Sequence, residues 1–321
     1  MMQDIDYLKA LELDILLDKS WNIRKKNFSP LLSVSTPSQK TYISEFHKNK
    51  KYAFVNISVT GTDCALNCEH CKRSLLDDMI PVENENELKV LGEKLIEKGC
   101  EGALISGGAT SSGEVPLDKY FNAISYLKSK GLKIIVHTGL APKNTARKLK
   151  NAGVDQVLLD IIGDEETIEK VYHLQKKPVD FLRTMQFFTE ENLDLAPHIL
   201  IGIHFGRIVG EYNAIRMVTQ IKPKTIVLVI LSPRSGTPMD GVETPPSKEI
   251  GKITAITRIL NPEAHLTLGC ARPASEDKVN LEKYAVRAGI NGIAYPTDET
   301  IKFAQDLGLR ISFKDTCCSI I

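Results

Sequence analysis

An α/β chain built as a (βα)8 TIM-type barrel is what the sequence predicts, and three observations predict it. Eight short β-branched runs alternate with amphipathic stretches that carry Leu, Ile or Ala at three-to-four-residue spacing. Glycine closes several of those stretches just ahead of the next run. The residues fitted for chemistry fall where the runs end. Strands that alternate with helices pair in parallel through right-handed crossovers, and eight of them suit a barrel whose chemistry collects on one face. An open doubly wound sheet satisfies the same alternation, because closure leaves no mark on a sequence.

In chain order, residues 1–50 read as an N-terminal helical extension, with an amphipathic helix near Ile5–Leu17 and then a polar connector. Residues 51–300 hold the barrel. Its strands are predicted at Phe54–Val59, Ala103–Ser106, Lys133–His137, Gln156–Ile161, Pro197–Ile203, Thr225–Leu231, Ala264–Leu268 and Gly292–Tyr295. Between them the 3.6-residue period predicts helices over Glu87–Lys98, Leu117–Lys130, Asn144–Asn151, Asp180–Asn192, Gly210–Ile221, Ser247–Leu260 and Leu281–Ala288. Lys98-Gly99, Lys130-Gly131, Ala152-Gly153 and Ala288-Gly289 are the helix-closing junctions. Residues 301–321 are expected to form a tail that caps the barrel mouth.

Composition narrows the function. The 321 residues include 41 Lys+Arg and 40 Asp+Glu, so a net charge of +1 offers no electrostatic footprint for nucleic acid or an anionic membrane. The longest apolar run, Ile226 to Leu231, falls far short of the roughly 20 residues a membrane helix needs. The first residues, MMQDIDYLKALELD, are acidic where a secretory signal would be basic. A cytoplasmic protein is the expectation. Its 7 cysteines are an odd number in a large chain, which argues against a disulfide framework and for metal binding or chemistry.

Three of them lie in TGTDCALNCEHCKRS, immediately after the first strand, with the spacing C-x3-C-x2-C at Cys64, Cys68 and Cys71. Three thiolates on one loop can hold three irons of a [4Fe–4S] cluster and leave the fourth without a protein ligand. Structural zinc is the other chemistry such thiols serve, but zinc prefers a second ligand pair, and no second C-x2-C is present. Cys270 sits in LGCARP at the end of the seventh strand, and Cys317–Cys318 lie in the tail. These three could hold an auxiliary cluster, or be incidental thiols of a frayed end and a buried Cys270. Cys100, His198, His173, His47 and His265 carry no chemical signal, and His198, inside the fifth strand, reads as a packed core histidine. Cys100 reads as a small buried apolar residue.

A C-x3-C-x2-C loop after the first strand of a βα barrel resembles the radical S-adenosylmethionine (SAM) superfamily, over Phe54 to about Tyr295. The resemblance implies that SAM binds the open iron of the Cys64–Cys68–Cys71 cluster and is cleaved reductively to a radical that takes hydrogen from an unactivated carbon. It also implies cofactor-binding roles. Ser106-Gly107-Gly108 stands where the family binds the SAM amino group, although Ala109 replaces the family's acid. His70 takes the place of the aromatic ring that packs on adenine, and Ile208 lies in a Gly-x-Ile-x-Gly-like segment that contacts adenine. His137 and Asp160 are candidates for the SAM carboxylate and ribose hydroxyls, or are barrel-rim residues satisfied by backbone.

Within the superfamily NCEHCK, LISGGA, VHTGL, LGCARP and the C-terminal Cys-Cys resemble the biotin synthase and lipoyl synthase branch, and most closely a group of biotin synthase-like proteins that includes a component of a two-protein lipoyl synthase. The lipoyl synthase signatures C-x4-C-x5-C and Arg-Ser-Ser-Tyr are absent. That resemblance implies a transferase inserting sulfur at C6 or C8 of an octanoyl chain borne by a carrier protein or lipoyl domain, with an auxiliary [4Fe–4S] cluster on Cys270, Cys317 and Cys318 as sulfur donor. A second radical SAM subunit and an electron donor such as ferredoxin would be its partners. Arg272 would act at the site, orienting an acidic group or touching the cluster, unless it forms a simple salt bridge. The alternatives are another radical SAM reaction (biotin synthase-like, a methylation or a rearrangement) and an iron–sulfur electron carrier without turnover.

Overall fold

The computed structural model describes residues 4–320. Two helices open it, α1 (Ile5–Ala10) and α2 (Leu13–Asn27), followed by β1 (Leu31–Ser35). Then come β2 (Phe54–Ser58), β3 (Ile80–Pro81), α3 (Glu85–Glu97), β4 (Gly102–Ser106), a 3-10 turn at Leu117–Lys119, α4 (Phe121–Ser129), β5 (Lys133–His137) and α5 (Lys143–Asn151). The second half is β6 (Gln156–Ile161), α6 (Glu165–Lys170), α7 (Pro178–Glu190), β7 (Leu195–Ile201), α8 (Glu211–Ile221), β8 (Thr225–Ile230), α9 (Ser247–Leu260), β9 (His265–Leu268), α10 (Lys278–Arg287), β10 (Gly292–Ala294), α11 (Asp298–Asp306) and β11 (Arg310–Lys314).

All eight expected strands form, as β2 and β4 to β10, and each pairs in parallel with its neighbour in sequence order. The four helix-closing glycines, Gly99, Gly131, Gly153 and Gly289, all take the left-handed conformation. β7 ends two residues before the expected limit because Gly202 turns the chain at φ 76°.

The ring differs from a simple eight-stranded closure. One parallel ladder runs β11-β1-β10-β9-β8-β7-β6-β5-β4-β2-β3, and β10 does not pair with β2. β1 takes the place beside β10, with Ser33, Val34 and Ser35 opposite Gly292, Ile293 and Ala294. The seam is stitched just beyond β1. The Ser38 amide donates to the Phe54 carbonyl at 3.0 Å, and the Phe54 amide donates to Ser38 Oγ at 3.1 Å. Residues 1–50 and 301–321 therefore supply strands β1 and β11 to the same curled sheet, which a helical extension and a capping tail did not foresee.

The tail also takes another path. After β11 it does not lie over the mouth but enters the barrel. Phe54, Ile135, Leu158, Ala196, Val227 and Ala294, from six strands, form an apolar layer with Cys318, and Cys270 and Cys317 pack against it. Ser319 is fully buried, and its carbonyl accepts from Nε2 of Gln156, the first residue of β6, at 3.4 Å. Parallel barrels fill their interior with side chains; here alanines on β7 and β10 leave room for backbone instead. The larger core lies between sheet and helices.

Asp315 anchors the tail where it leaves β11. Its carboxylate accepts from Thr36 Oγ1 at 2.7 Å and the Lys50 amide at 3.0 Å, and meets His47 Nε2 at 2.8 Å. Burial alone would raise its pKa, but these bonds outweigh burial and leave it below the ordinary carboxylate value. The anchoring is therefore complete above about pH 4 and is lost as pH falls through the lower folded pKa. Hydrogen exchange read by mass spectrometry should find residues 316–320 protected at neutral pH, with Asp315→Asn losing at least several-fold in protection. Full protection in that variant would mean that packing alone holds the tail.

Candidate functional site

The long loop between β2 and β3 carries the first three cysteines. Three left-handed residues, Asn67, Lys72 and Arg73, bend it tightly, and the Cys71 and Lys72 amides both donate to the Cys68 carbonyl. The loop is pinned to the segment after α6: the Glu69 amide donates to Val171 O at 2.9 Å, and Glu69 Oε1 meets His173 Nε2 and Lys72 Nζ at 2.8 Å each. Cys68 is buried, while Cys64 and Cys71 are half-buried. A hydrogen bond from Cys68 pulls the Cys71 thiol down, and the same bond pushes Cys68 up. All three thiols face a cavity of about 290 Å³, whose further walls include Ser106, Gly107, Gly108, His137, Asp160 and Tyr172.

The glycine pair at the end of β4 exists because the cysteine loop folds down onto it. A Cβ on Gly108 would collide with the Asp63 carbonyl and stand 2.6 Å from Cys64 Cβ. With no Cβ there, the Gly108 amide donates to Thr60 Oγ1 at 2.7 Å, and the Ala109 amide donates to Cys64 Sγ at 3.4 Å. His70 tilts against Tyr172 at 5.2 Å between ring centres, and its Nδ1 is buried without a partner. Three convergent thiols, a cradle only glycine can line and an orphaned imidazole nitrogen fit an iron–sulfur cluster with one iron left for a second ligand.

Opposite the loop, three neighbouring strands aim polar side chains at one point. Asp160 Oδ1 accepts from His137 Nε2 at 3.1 Å and from His198 Nδ1 at 3.2 Å, and the two rings lie 5.7 Å apart, nearly parallel. Asp160 and His198 are register partners on β6 and β7. Burial would raise the Asp160 pKa, but the two histidines hold it well below the carboxylate range. An ionised carboxylate only accepts, so each ring donates from the nitrogen that faces it. His198 is thus not the packed core histidine the sequence suggested; its polarity mid-strand, two residues past Ala196, is the signal that could have marked it.

Cys270, Cys317 and Cys318 meet in the barrel interior. Cys318 is shared by hydrogen bonds with both other thiols, which pushes it well up. Its bond pulls Cys270 down to about 6, with Lys40, His198 and Arg272 assisting, and pulls Cys317 down as well. Cys270 also lines a second cavity of about 210 Å³, and this cavity shares His70, Leu75 and Asp160 with the first. Three thiols gathered in one layer, with Cys270 and Cys317 both held below the ordinary thiol value, are a donor set fit for a second cluster.

Other expectations are redirected. Arg272 does not reach out to a ligand: its Nε and Nη2 bind Glu282 Oε1 at 3.0 and 2.8 Å, and its remaining N–H groups meet the Gly269, Ala294 and Tyr295 carbonyls. Its side chain is 3% exposed, so the catalytic role expected for it gives way to the salt bridge. Ile208 packs on the core and lines neither cavity. The acid of its segment, Glu211, accepts from the Gly202 and Val209 amides at 2.7 Å each and braces that loop. Cys100 is buried, with its thiol toward the Gly102 carbonyl, as expected. Tyr172 and Lys40 were not anticipated, and their loops carry no periodic signal.

Arg272→Met removes the guanidinium from the buried Glu282 and leaves it the Thr297 amide, the Thr297 and Thr300 hydroxyls and the Lys278 ammonium 3.8 Å away. Urea unfolding should find it about 3–5 kcal/mol less stable, with Arg272→Met/Glu282→Leu recovering much of the loss. An Arg272→Met protein as stable as wild type would return the residue to the catalytic candidates.

No family model matches the chain. Among curated proteins it is 22% identical over 283 residues to a biotin synthase of Acidithiobacillus ferrooxidans, covering 86% of this chain and 87% of that one. It is 24% identical over 277 residues to a biotin synthase of Neorickettsia sennetsu, covering 83% and 82%. Its fold superposes on methylornithine synthase (PylB) with a TM-score of 0.63, at 16% identity and 97% and 94% coverage. It also superposes on the FeFe-hydrogenase maturase HydG from Carboxydothermus hydrogenoformans with a TM-score of 0.66, at 16% identity and 94% and 72% coverage. With this curled parallel sheet and the Cys64–Cys68–Cys71 loop at its strand ends, the chain has the radical SAM type of fold and is similar in sequence to the biotin synthases.

Proposed function

We propose that the chain inserts sulfur at unactivated carbons of a protein-bound octanoyl chain, as a lipoyl synthase does. The observation that carries this reading is the second thiol set, gathered inside the barrel, with Cys270 lining a cavity that shares His70, Leu75 and Asp160 with the cavity of the first set. Cys64, Cys68 and Cys71 would hold the cluster that binds SAM, and Cys270, Cys317 and Cys318 an auxiliary [4Fe–4S] cluster. When bound, these groups would supply hydrogen abstraction and sulfide.

The chain's own residues bind, orient and exclude water. His70 offers a flat ring beside Tyr172 for a planar base, Gly108 lets the cysteine loop lie directly on the end of β4, and Ser106 is held by its Oγ bond to the His137 carbonyl at 3.1 Å. Leu200, Ile203, Val229, Ile230 and Leu231 give the second cavity apolar walls suited to a slender neutral acyl chain. An octanoylated carrier or lipoyl domain, an electron donor such as ferredoxin and a second radical SAM subunit complete the proposal. The biotin synthase likeness supports a second substrate class, a free carboxylate, for which Lys40 at the same cavity is a suitable partner.

Product mass decides between them. Incubation with SAM, reductant and an octanoylated lipoyl domain should yield deoxyadenosine and sulfur gain on the domain. Cys64→Ala should abolish deoxyadenosine formation, whereas Cys318→Ala should retain it and lose sulfur gain. Undiminished sulfur gain in Cys318→Ala would overturn the donor role, and sulfur gain only on a free carboxylate substrate would overturn the octanoyl reading. No helix among the described residues is long and apolar enough to cross a membrane.

A further inference from the structure

One group in the barrel interior is oriented as a ligand and has nothing to bind. His198 is fixed by Asp160 through Nδ1 at 3.2 Å, and among the described residues its Nε2 makes no hydrogen bond. The side chain keeps 12% exposure. A histidine that gives one ring nitrogen to a carboxylate and leaves the other free is how metal-binding histidines are held, since the carboxylate fixes the tautomer and makes the free nitrogen more basic.

The thiols lie on that side. Side chains two apart on a strand share a face, and Ala196, two residues before His198, packs in the layer that contains Cys318, with Cys270, Cys317 and Val229 against it. Val227 of that layer is the register partner of His198 on β8. Charge also favours a neutral ligand, because a fourth thiolate would add an uncompensated negative charge to a closed interior.

We propose that His198, through Nε2, is the fourth protein ligand of the cluster held by Cys270, Cys317 and Cys318. Asp160 orients the ring, and His137, which shares the same carboxylate oxygen, is a positioning residue. The assignment rests on the auxiliary-cluster reading above.

The test uses the full chain carrying Cys64→Ala, Cys68→Ala and Cys71→Ala, labelled with 15N-histidine and reconstituted anaerobically with iron and sulfide. About four irons should remain, and pulsed EPR after one-electron reduction should find the strong hyperfine coupling of a directly bound imidazole nitrogen. His198→Ala should remove that coupling. His198→Cys should keep the iron, lose the coupling and lower the reduction potential, since histidine in place of cysteine raises it. Four irons without the coupling, or a coupling that survives His198→Ala and disappears in His137→Ala, overturns the ligand assignment and leaves the auxiliary cluster standing. A folded triple variant that binds no iron overturns the cluster and the ligand together. If the triple variant does not fold, wild type and His198→Ala are compared in the otherwise intact chain, and identical nitrogen couplings overturn the assignment.

Discussion

A curled parallel sheet has an inside, and something must fill it. Large branched side chains usually do so. In this protein Ala196 and Ala294 leave the lumen partly empty, and backbone from the chain's own tail fills the rest down to Gln156. Much of the architecture follows from that choice. β11 must lie beside the seam so that the tail can enter, and β1 must join the sheet to receive β11 along its whole length, from Leu31 opposite Arg310 to Ser35 opposite Lys314. Asp315 must then be held at the rim by Thr36, His47 and the Lys50 amide. The interior thereby gains two thiols that no strand supplies.

The second constraint is electrostatic. Thiols, a carboxylate and two imidazoles crowd the barrel interior, and polar groups that are buried are tolerated only with partners. Asp160 meets that condition by serving His137 and His198 from one oxygen. Cys318 meets it by bridging Cys270 and Cys317. Cys64, Cys68 and Cys71 line one cavity, and Cys270 lines another that shares His70, Leu75 and Asp160 with it. Arg272 contributes at a distance: by neutralising Glu282 and holding the Ala294 and Tyr295 carbonyls, it fixes the strand end against which the tail packs.

Much of this was legible in the sequence, for identifiable reasons. Strands β2 and β4 to β10 announce themselves because parallel strands buried on both faces are continuous apolar runs. The Cys64–Cys68–Cys71 loop and Cys270 are legible because chemistry needs thiols at strand ends. β1 and β11 were missed since LLSVS and RISFK are short and flanked by polar chain, and their pairing depends on a contact across the whole sequence. The tail's descent into the lumen depends on small residues on other strands, which no local window contains. His198 hid because one histidine in an apolar strand looks the same whether it packs or meets a carboxylate on the neighbouring strand. Arg272 misled because an arginine two residues past a strand-end cysteine gives no sign of Glu282 waiting on α10.

The two thiol sets imply two iron–sulfur clusters in one barrel, the inner one completed by the chain's own tail. The most direct test is an anaerobic count of iron and acid-labile sulfide in reconstituted wild type beside Cys317→Ala/Cys318→Ala. The account predicts about eight irons falling to about four. About four in both proteins would contradict it, leaving the tail as packing and the chain with a single cluster.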